Sequence, residues 1–184
     1  LSVEDKCIKR IFDIIVSSIL IILSLPLMII SAILVKLTSK GPALYSQERL
    51  TMNNKPFKLY KFRTMVNNAE RKTGPVLAAD NDSRITKVGN LLRMTRLDEL
   101  PQLFNVLKGD MSIVGPRPER EFFVSQFIKD NKEFGYRTSV KAGITGLAQI
   151  YGKYTTSFED KLRYDLIYIR NYSFVLDIVL ILKT

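Results

Sequence analysis

The chain has 184 residues, 46% of them hydrophobic, and a formal net charge of +10. That is the size of one domain, or of one domain with an anchor, and its apolar content excludes a disordered chain. There is no histidine, and Cys7 is the only cysteine; this excludes a Ser-His-Asp triad, an internal disulfide framework and a cysteine-based zinc site. Any chemistry must rest on Asp, Glu, Lys, Arg, Tyr and the backbone, and the basic balance suits nucleic acid, anionic lipid or phosphorylated small molecules.

The first element is apolar. From Ile14 to Val35 no charged residue interrupts the sequence, a length able to cross about 30 Å of hydrocarbon as a helix. Lys6, Lys9 and Arg10 precede it, and Lys36 and Lys40 follow it. Positive flanks favour the cytoplasmic side, and here both ends are positive. Pro26 lies near the middle, behind Ser24. Proline removes a helical hydrogen bond, and a nearby serine can satisfy the freed carbonyl and permit a sharp bend. A spanning helix and a re-entrant hairpin broken at Ser24–Pro26 stand level on these grounds; a buried core helix does not fit, because the segment has no polar face.

Beyond Gly41-Pro42, ALYSQERL reads as a strand, NNKPF as a turn and FKLYKFRTM as a second strand. Lys58, Tyr60 and Phe62 share one of its faces, and Leu59, Lys61 and Arg63 the other. VNNAERKTGPVLAADNDS is polar and rich in turn formers, a loop with one short helix. TKVGNLLRMT is a helix capped by Thr86, with Val88, Leu91 and Leu92 as core. ELPQLFNVLK is the clearest soluble helix: Leu100, Leu103, Phe104 and Leu107 recur at i, i+3, i+4 and i+7. Pro101 falls in its first turn, Gly109 closes it, and Asp98 takes the N-cap. A further amphipathic helix starts after Pro118, GITGLAQIYGK is a glycine-bearing loop or strand, and SFEDKLRYDLIYIRNYSFVLDIVLIL closes the chain as helices.

The chemistry concentrates in TRLDELPQLFNVLKGDMSIVGPRPER. Two adjacent acids, Asp98 and Glu99, repel one another unless cations or hydrogen bonds compensate. An acid capping a helix meets the positive end of its dipole and stays ionised, and the same end attracts phosphate. Arg93 and Arg96 lie just upstream. Glu99 supplies a second hard oxygen ligand, so the pair suits Mg²⁺ beside phosphate. An aspartate can attack phosphorus and split one hard displacement into two easier ones. Arg117, fixed between Pro116 and Pro118, suits a bidentate phosphate clamp, and a stiff surface connector explains the same tripeptide. Asp98 as a plain helix cap is the corresponding bland reading.

Together, KRIFD, the SLP of the apolar segment, KPFKLYKFRTM, RLDELPQLFNVLKGDMSIVGPRPE, GITGLAQIYGK and SFVLDIVLILKT resemble the bacterial sugar transferase family, the monotopic polyprenyl-phosphate phosphoglycosyl transferases. The resemblance covers nearly the whole chain. It implies a mostly helical α+β fold: a re-entrant membrane helix over 1–40, then a catalytic domain over 41–184 with a short β-hairpin and amphipathic interfacial helices. It also implies an Mg²⁺-dependent dyad, a covalent phosphosugar-aspartate, and transfer of a sugar 1-phosphate from a UDP-sugar to polyprenol phosphate with release of UMP. The implied location is the cytoplasmic face of the bacterial inner membrane, among membrane lipids. By motif position Asp98 is the nucleophile and Glu99 its partner, both also metal ligands; Arg93, Arg117 and Lys61 face phosphate, and Asp177, Ser24 and Pro26 match functional positions. Two departures stand out. LTMNN replaces a glycine-bearing turn, and Lys153 stands where relatives often carry Arg, losing a planar fork toward the nucleotide. A membrane-anchored nucleotide-sugar hydrolase would show the same acid pair. A non-catalytic basic module would show the same interleaved KPFKLYKFR, although nucleic acid is not expected as a partner.

Overall fold

Pro26 does not end the first helix. In the computed structural model, which describes residues 3–70, 74, 76, 82–152 and 157–184, α1 runs from Val3 to Thr38 with Pro26 inside it. The sequence leads one to expect two arms parted at Ser24–Pro26. The missing proline N–H frees the carbonyl four residues back, at Ile22; the Ser24 hydroxyl donates instead to Leu20 O at 2.6 Å, so it does not make the expected repair. One stripe of α1 is buried: Lys9, Asp13 and Ser17 at one end, Met28, Ser31 and Val35 at the other. Their spacing of three and four residues places them along one helix face. The opposite face is apolar and exposed, with Ile15, Ile22, Leu23, Ile29 and Ile33 all half or more uncovered.

The two strands form as expected. β1 (Leu44–Leu50) pairs antiparallel with β2 (Pro56–Phe62), placing Tyr45 opposite Lys61 and Glu48 opposite Lys58. Between them a 3₁₀ turn over Met52–Asn54 needs left-handed backbone, and Asn53 (φ 59°) and Asn54 (φ 57°) supply it. Asparagine tolerates that region better than most side chains, so the turn survives without glycine. Much of the loop from Val66 to Ser83 lies outside the described residues.

α2 (Lys87–Met94) is capped by the Thr86 hydroxyl, which accepts from Gly89 N at 2.9 Å. A Cβ on Gly89 would lie 1.9 Å from Thr64 O, so only glycine lets α2 sit on the end of β2. Leu92 is buried and Val88 packs partly, whereas Leu91 is half exposed. α3 (Gln102–Lys108) is shorter than expected and ends at Gly109 in the left-handed conformation (φ 98°). Its buried face is Gln102, Leu103, Asn105 and Val106, while Phe104 and Leu107 are turned outward. The i, i+3, i+4 stripe thus divides between core and surface.

β3 (Ser112–Val114) pairs in parallel with β4 (Gly143–Thr145). α4 (Glu121–Asp130), a long 3₁₀ stretch over Lys132–Ser139, α5 (Leu147–Tyr151), α6 (Phe158–Arg170) and α7 (Phe174–Leu182) complete the chain. One core gathers Phe57, Leu59, Leu103, Val106, Met111 and Val114. A second joins Leu50, Val124, Phe134, Leu162 and Leu166. A third, of Met28, Val35, Phe62 and Leu92, is where α1 docks.

Candidate active site

The acid pair sits in a single 3₁₀ turn, Leu97–Glu99, ahead of α3. Arg96 opens the turn in the left-handed conformation (φ 55°). Glu99 N donates to Arg96 O and Leu100 N to Leu97 O, and regular α-helix starts only at Gln102, after Pro101. Asp98 is therefore not the N-cap of α3, which corrects the sequence expectation: short i→i+3 turns bridge the interval, and no backbone donor reaches the Asp98 carboxylate. Among the described residues that carboxylate has no hydrogen-bond partner, although the residue is only 8% exposed.

Glu99 is treated in the opposite way. Its Oε1 accepts from Lys61 Nζ at 2.7 Å and from Arg117 Nη2 at 2.7 Å. Lys61 comes from β2, and β2 is pinned to α3 by one side chain. The Asn105 amide donates to Lys58 O at 2.7 Å, and its oxygen accepts from Tyr60 N at 3.1 Å. It extends the strand edge as a neighbouring strand would. Arg117 is carried in by the chain leaving β3. There Gly115 N donates to Thr145 O and Gly143 N to Pro116 O, both at 2.9 Å. A Cβ on Gly143 would lie 2.0 Å from Gly115 N, so these backbones can meet only with glycine at that point.

The electrostatics separate the two acids. Burial pushes the Glu99 carboxyl up, but the charges and hydrogen bonds of Arg117 and Lys61 outweigh it and hold the group at about 2. Burial raises Asp98 above its ordinary value of 3.8 and Glu99 adds to this, while Lys61, Arg93 and Arg117 oppose. The net lowering expected of a helix cap is not found, burial being the largest influence on Asp98. Burial, then the Arg117 charge, lowers Lys61; Arg117 itself is raised, since Glu99 more than offsets its burial. Two carboxylates in one site with proton affinities driven apart is the arrangement in which each can take a separate role. Glu99 is a fixed anion. Asp98 is the more basic of the two, with its lone pairs uncommitted.

Arg93 lies at the rim, held by Thr64 Oγ1 at 2.9 Å, close enough for its charge to act on Asp98. Lys61, Arg93, Asp98, Glu99 and Arg117 thus come together. Asp177 does not join them. It is 1% exposed, paired with Lys9 from α1 and accepting from the Tyr168 hydroxyl at 2.7 Å. Ser24 and Pro26 stay on α1, and Lys153 lies outside the described residues. Sequence reading passed over Asn105 and Arg137. Asn105 looked like one more polar residue in an amphipathic helix; Arg137, in KEFGYRTS, carried no signal at all.

The oxygens fit a hard divalent cation. Among the described residues Asp98 has no hydrogen-bond partner, Glu99 Oε2 accepts no hydrogen bond, and no cluster of three ligating side chains exists. Mg²⁺ is commonly held by one or two carboxylates together with water and substrate phosphate, without a full protein cage.

A family model described as bacterial sugar transferase matches residues 4–184. Similar proteins include the UDP-N-acetylgalactosamine-undecaprenyl-phosphate N-acetylgalactosaminephosphotransferase of Aeromonas hydrophila, 46% identical over 180 residues (96% of this chain, 42% of the relative). The UDP-glucose:undecaprenyl-phosphate glucose-1-phosphate transferase of Klebsiella pneumoniae is 46% identical over 181 residues (96% and 39%). The enzyme of that name from Escherichia coli strain K12 is 41% identical over 189 residues (100% and 40%). The chain therefore spans about two fifths of the length of these relatives.

Proposed function

From the premise that the chain belongs to the bacterial sugar transferase family, we propose that it transfers a sugar 1-phosphate from a UDP-sugar to polyprenol phosphate, a first membrane step in building a bacterial glycoconjugate. The observation that carries this reading is the divided acid pair. Asp98 is buried, unpaired and more basic than an ordinary aspartate, while Glu99 is locked by Lys61 and Arg117.

The chemistry runs in two displacements. An Asp98 carboxylate oxygen attacks the sugar-bearing phosphorus of the donor. The bond from that phosphorus to the bridging oxygen breaks, and UMP leaves with the oxygen. A phosphate oxygen of polyprenol phosphate then attacks the same phosphorus, Asp98 departs as carboxylate, and a polyprenyl diphosphate sugar results. Arg117 and Arg93 neutralise phosphate charge as the nucleophile approaches, and Lys61 keeps Glu99 aimed inward. Mg²⁺ held by Asp98 and Glu99 would draw off charge from the phosphate oxygens.

α1 supports a lipid acceptor and a location at the membrane. At one end Arg10 donates to Val106 O (2.6 Å) and Leu107 O (2.7 Å), and Asp13 accepts from Ile113 N (2.9 Å). At the other, Arg63 holds Ser39 O and Lys40 O. Both ends are tied to the same folded body, and a polar body lies on one side of a bilayer. A helix crossing the membrane would hold its ends on opposite faces; the ties at both ends of α1 support a re-entrant course made without a helix break at Pro26, with both ends on the cytoplasmic face by their basic flanks. Its exposed apolar face, and the outward-facing Phe104, Leu107, Met94 and Val175, support a site at the lipid surface, where a polyprenol phosphate lies. That favours a lipid acceptor over water. A screen of UDP-sugars for UMP release, with and without polyprenol phosphate and Mg²⁺, tests the reading. Acceptor-dependent turnover with at least one sugar is expected; no release with any donor would refute it.

A further inference from the structure

The segment carrying Arg117 is held in an unusual way. Pro116 and Pro118 have no N–H, so at those two residues the backbone of this strap can be held only through its carbonyls. Four in a row are taken. Pro116 O accepts from Gly143 N at 2.9 Å, and Glu119 O from Leu50 N at 3.0 Å. Pro118 O accepts from Arg49 at 3.3 Å. The carbonyl of Arg117 itself accepts from Arg137 Nη2 at 3.0 Å.

Arg137 is the best anchored of these donors. Its residue is 9% exposed, its Nε donates to Asp165 at 2.6 Å, and its guanidinium lies 4.6 Å from the Phe134 ring centre. Asp165 is 1% exposed and comes from α6. One edge of a planar fork is thus spent on a buried carboxylate and another on the backbone of the residue that grips Glu99. We propose that Arg137, with Asp165 as its counterion, is a positioning residue for Arg117: it fixes the Arg117 peptide so that the side chain meets Glu99 and the donor phosphate. This rests on the transfer reaction above, to which Arg137 contributes without touching substrate.

Lysine keeps the charge opposite Asp165, but one ammonium cannot reproduce the fork that serves carboxylate and carbonyl together. Arg137→Lys should therefore lower kcat/KM about tenfold to a hundredfold, the scale of a small misplacement in a reacting site. The decisive reading is a double-mutant cycle with Arg117→Ala. If Arg137 acts through Arg117, Arg117→Ala/Arg137→Lys is no slower than Arg117→Ala alone; a merely structural role makes the two losses multiply. A second measurement needs no substrate: arginine side-chain ¹⁵N NMR, with Arg117→Lys identifying the resonance. The Arg117 guanidinium should be immobilised in the wild type and freely rotating in Arg137→Lys. Should Arg137→Lys fail to fold, Arg137→Gln/Asp165→Asn removes both charges and makes the same two predictions. Multiplying losses, or an Arg117 signal that stays immobilised, overturns the proposal. Failure of the wild type to transfer any sugar phosphate would refute the function alone, because the NMR result stands without it.

Discussion

Two charged clusters in this chain are alike in composition and differ in what they leave free. Each joins a lysine to an acid with a further polar partner: Lys61–Glu99–Arg117 below Asp98, and Lys9–Asp177–Tyr168 at the foot of α1. In the second, every member is committed. Lys9 also reaches Tyr168, and the Tyr168 hydroxyl, pushed up by burial and by Asp177, remains a donor. The first surrounds a carboxylate, on Asp98, that is buried and has no partner among the described residues. A closed set of ion pairs fastens a helix to its domain. A carboxylate with uncommitted lone pairs beside a fixed anion is available for chemistry. Chemistry is placed by what remains unsatisfied after folding, more than by the charged residues themselves.

If that contrast holds, the largest effect in the molecule belongs to Asp98→Asn. Turnover should fall by about a thousandfold or more, since the proposed nucleophile is removed. The same variant should fold normally and be as stable as the wild type or more so by up to about 1 kcal/mol, because the native site disfavours the charge it loses; thermal unfolding checks this. Arg117→Lys comes next. It keeps charge but gives up the fork, and should lower kcat/KM by about ten- to a hundredfold with unchanged unfolding.

In the closed cluster the effect should fall on stability and spare the chemistry. Asp177→Asn leaves Lys9 buried without its counter-charge and should cost about 3 kcal/mol by denaturant unfolding. The molecules that remain folded should turn over at close to the wild-type rate. The smallest effect is in the pH profile. Asp98 is raised, so its reactive carboxylate is lost as pH falls through a midpoint above 3.8, while Glu99 stays ionised down to about 2. The acid limb of kcat/KM should therefore follow the titration of Asp98 and not that of Glu99. The stability contributed by the depressed Glu99 is present above its ordinary 4.5 and lost only as pH falls through about 2.

The residues of the site were legible because their spacing in sequence carries into space: Asp98 and Glu99 are adjacent, and Arg117 is bracketed by its prolines. Their environment was not. An apolar repeat at i, i+3 and i+4 locates a helix but not its first residue, so it does not separate the 3₁₀ turn over Leu97–Glu99 from the start of α3, or Asp98 from a cap. The same repeat does not say which apolar positions meet the core, and Phe104 and Leu107 turned out to face outward. Pro26 marks a lost hydrogen bond, yet the helix continues through it. Asp177 and Lys9 lie far apart in the chain, and no local pattern foretells that they meet. Arg137 is hidden for the same reason, since its role exists only through the carbonyl of Arg117.

The central claim is that Asp98 becomes covalently loaded. Intact-protein mass spectrometry after mixing with UDP-sugar and Mg²⁺, without lipid acceptor, tests it directly. An added mass of one phosphosugar is expected, with about one UMP released per site, the modification on the peptide carrying Asp98, and none in Asp98→Asn. UMP release with no adduct on the protein, or an adduct persisting in Asp98→Asn, would contradict it.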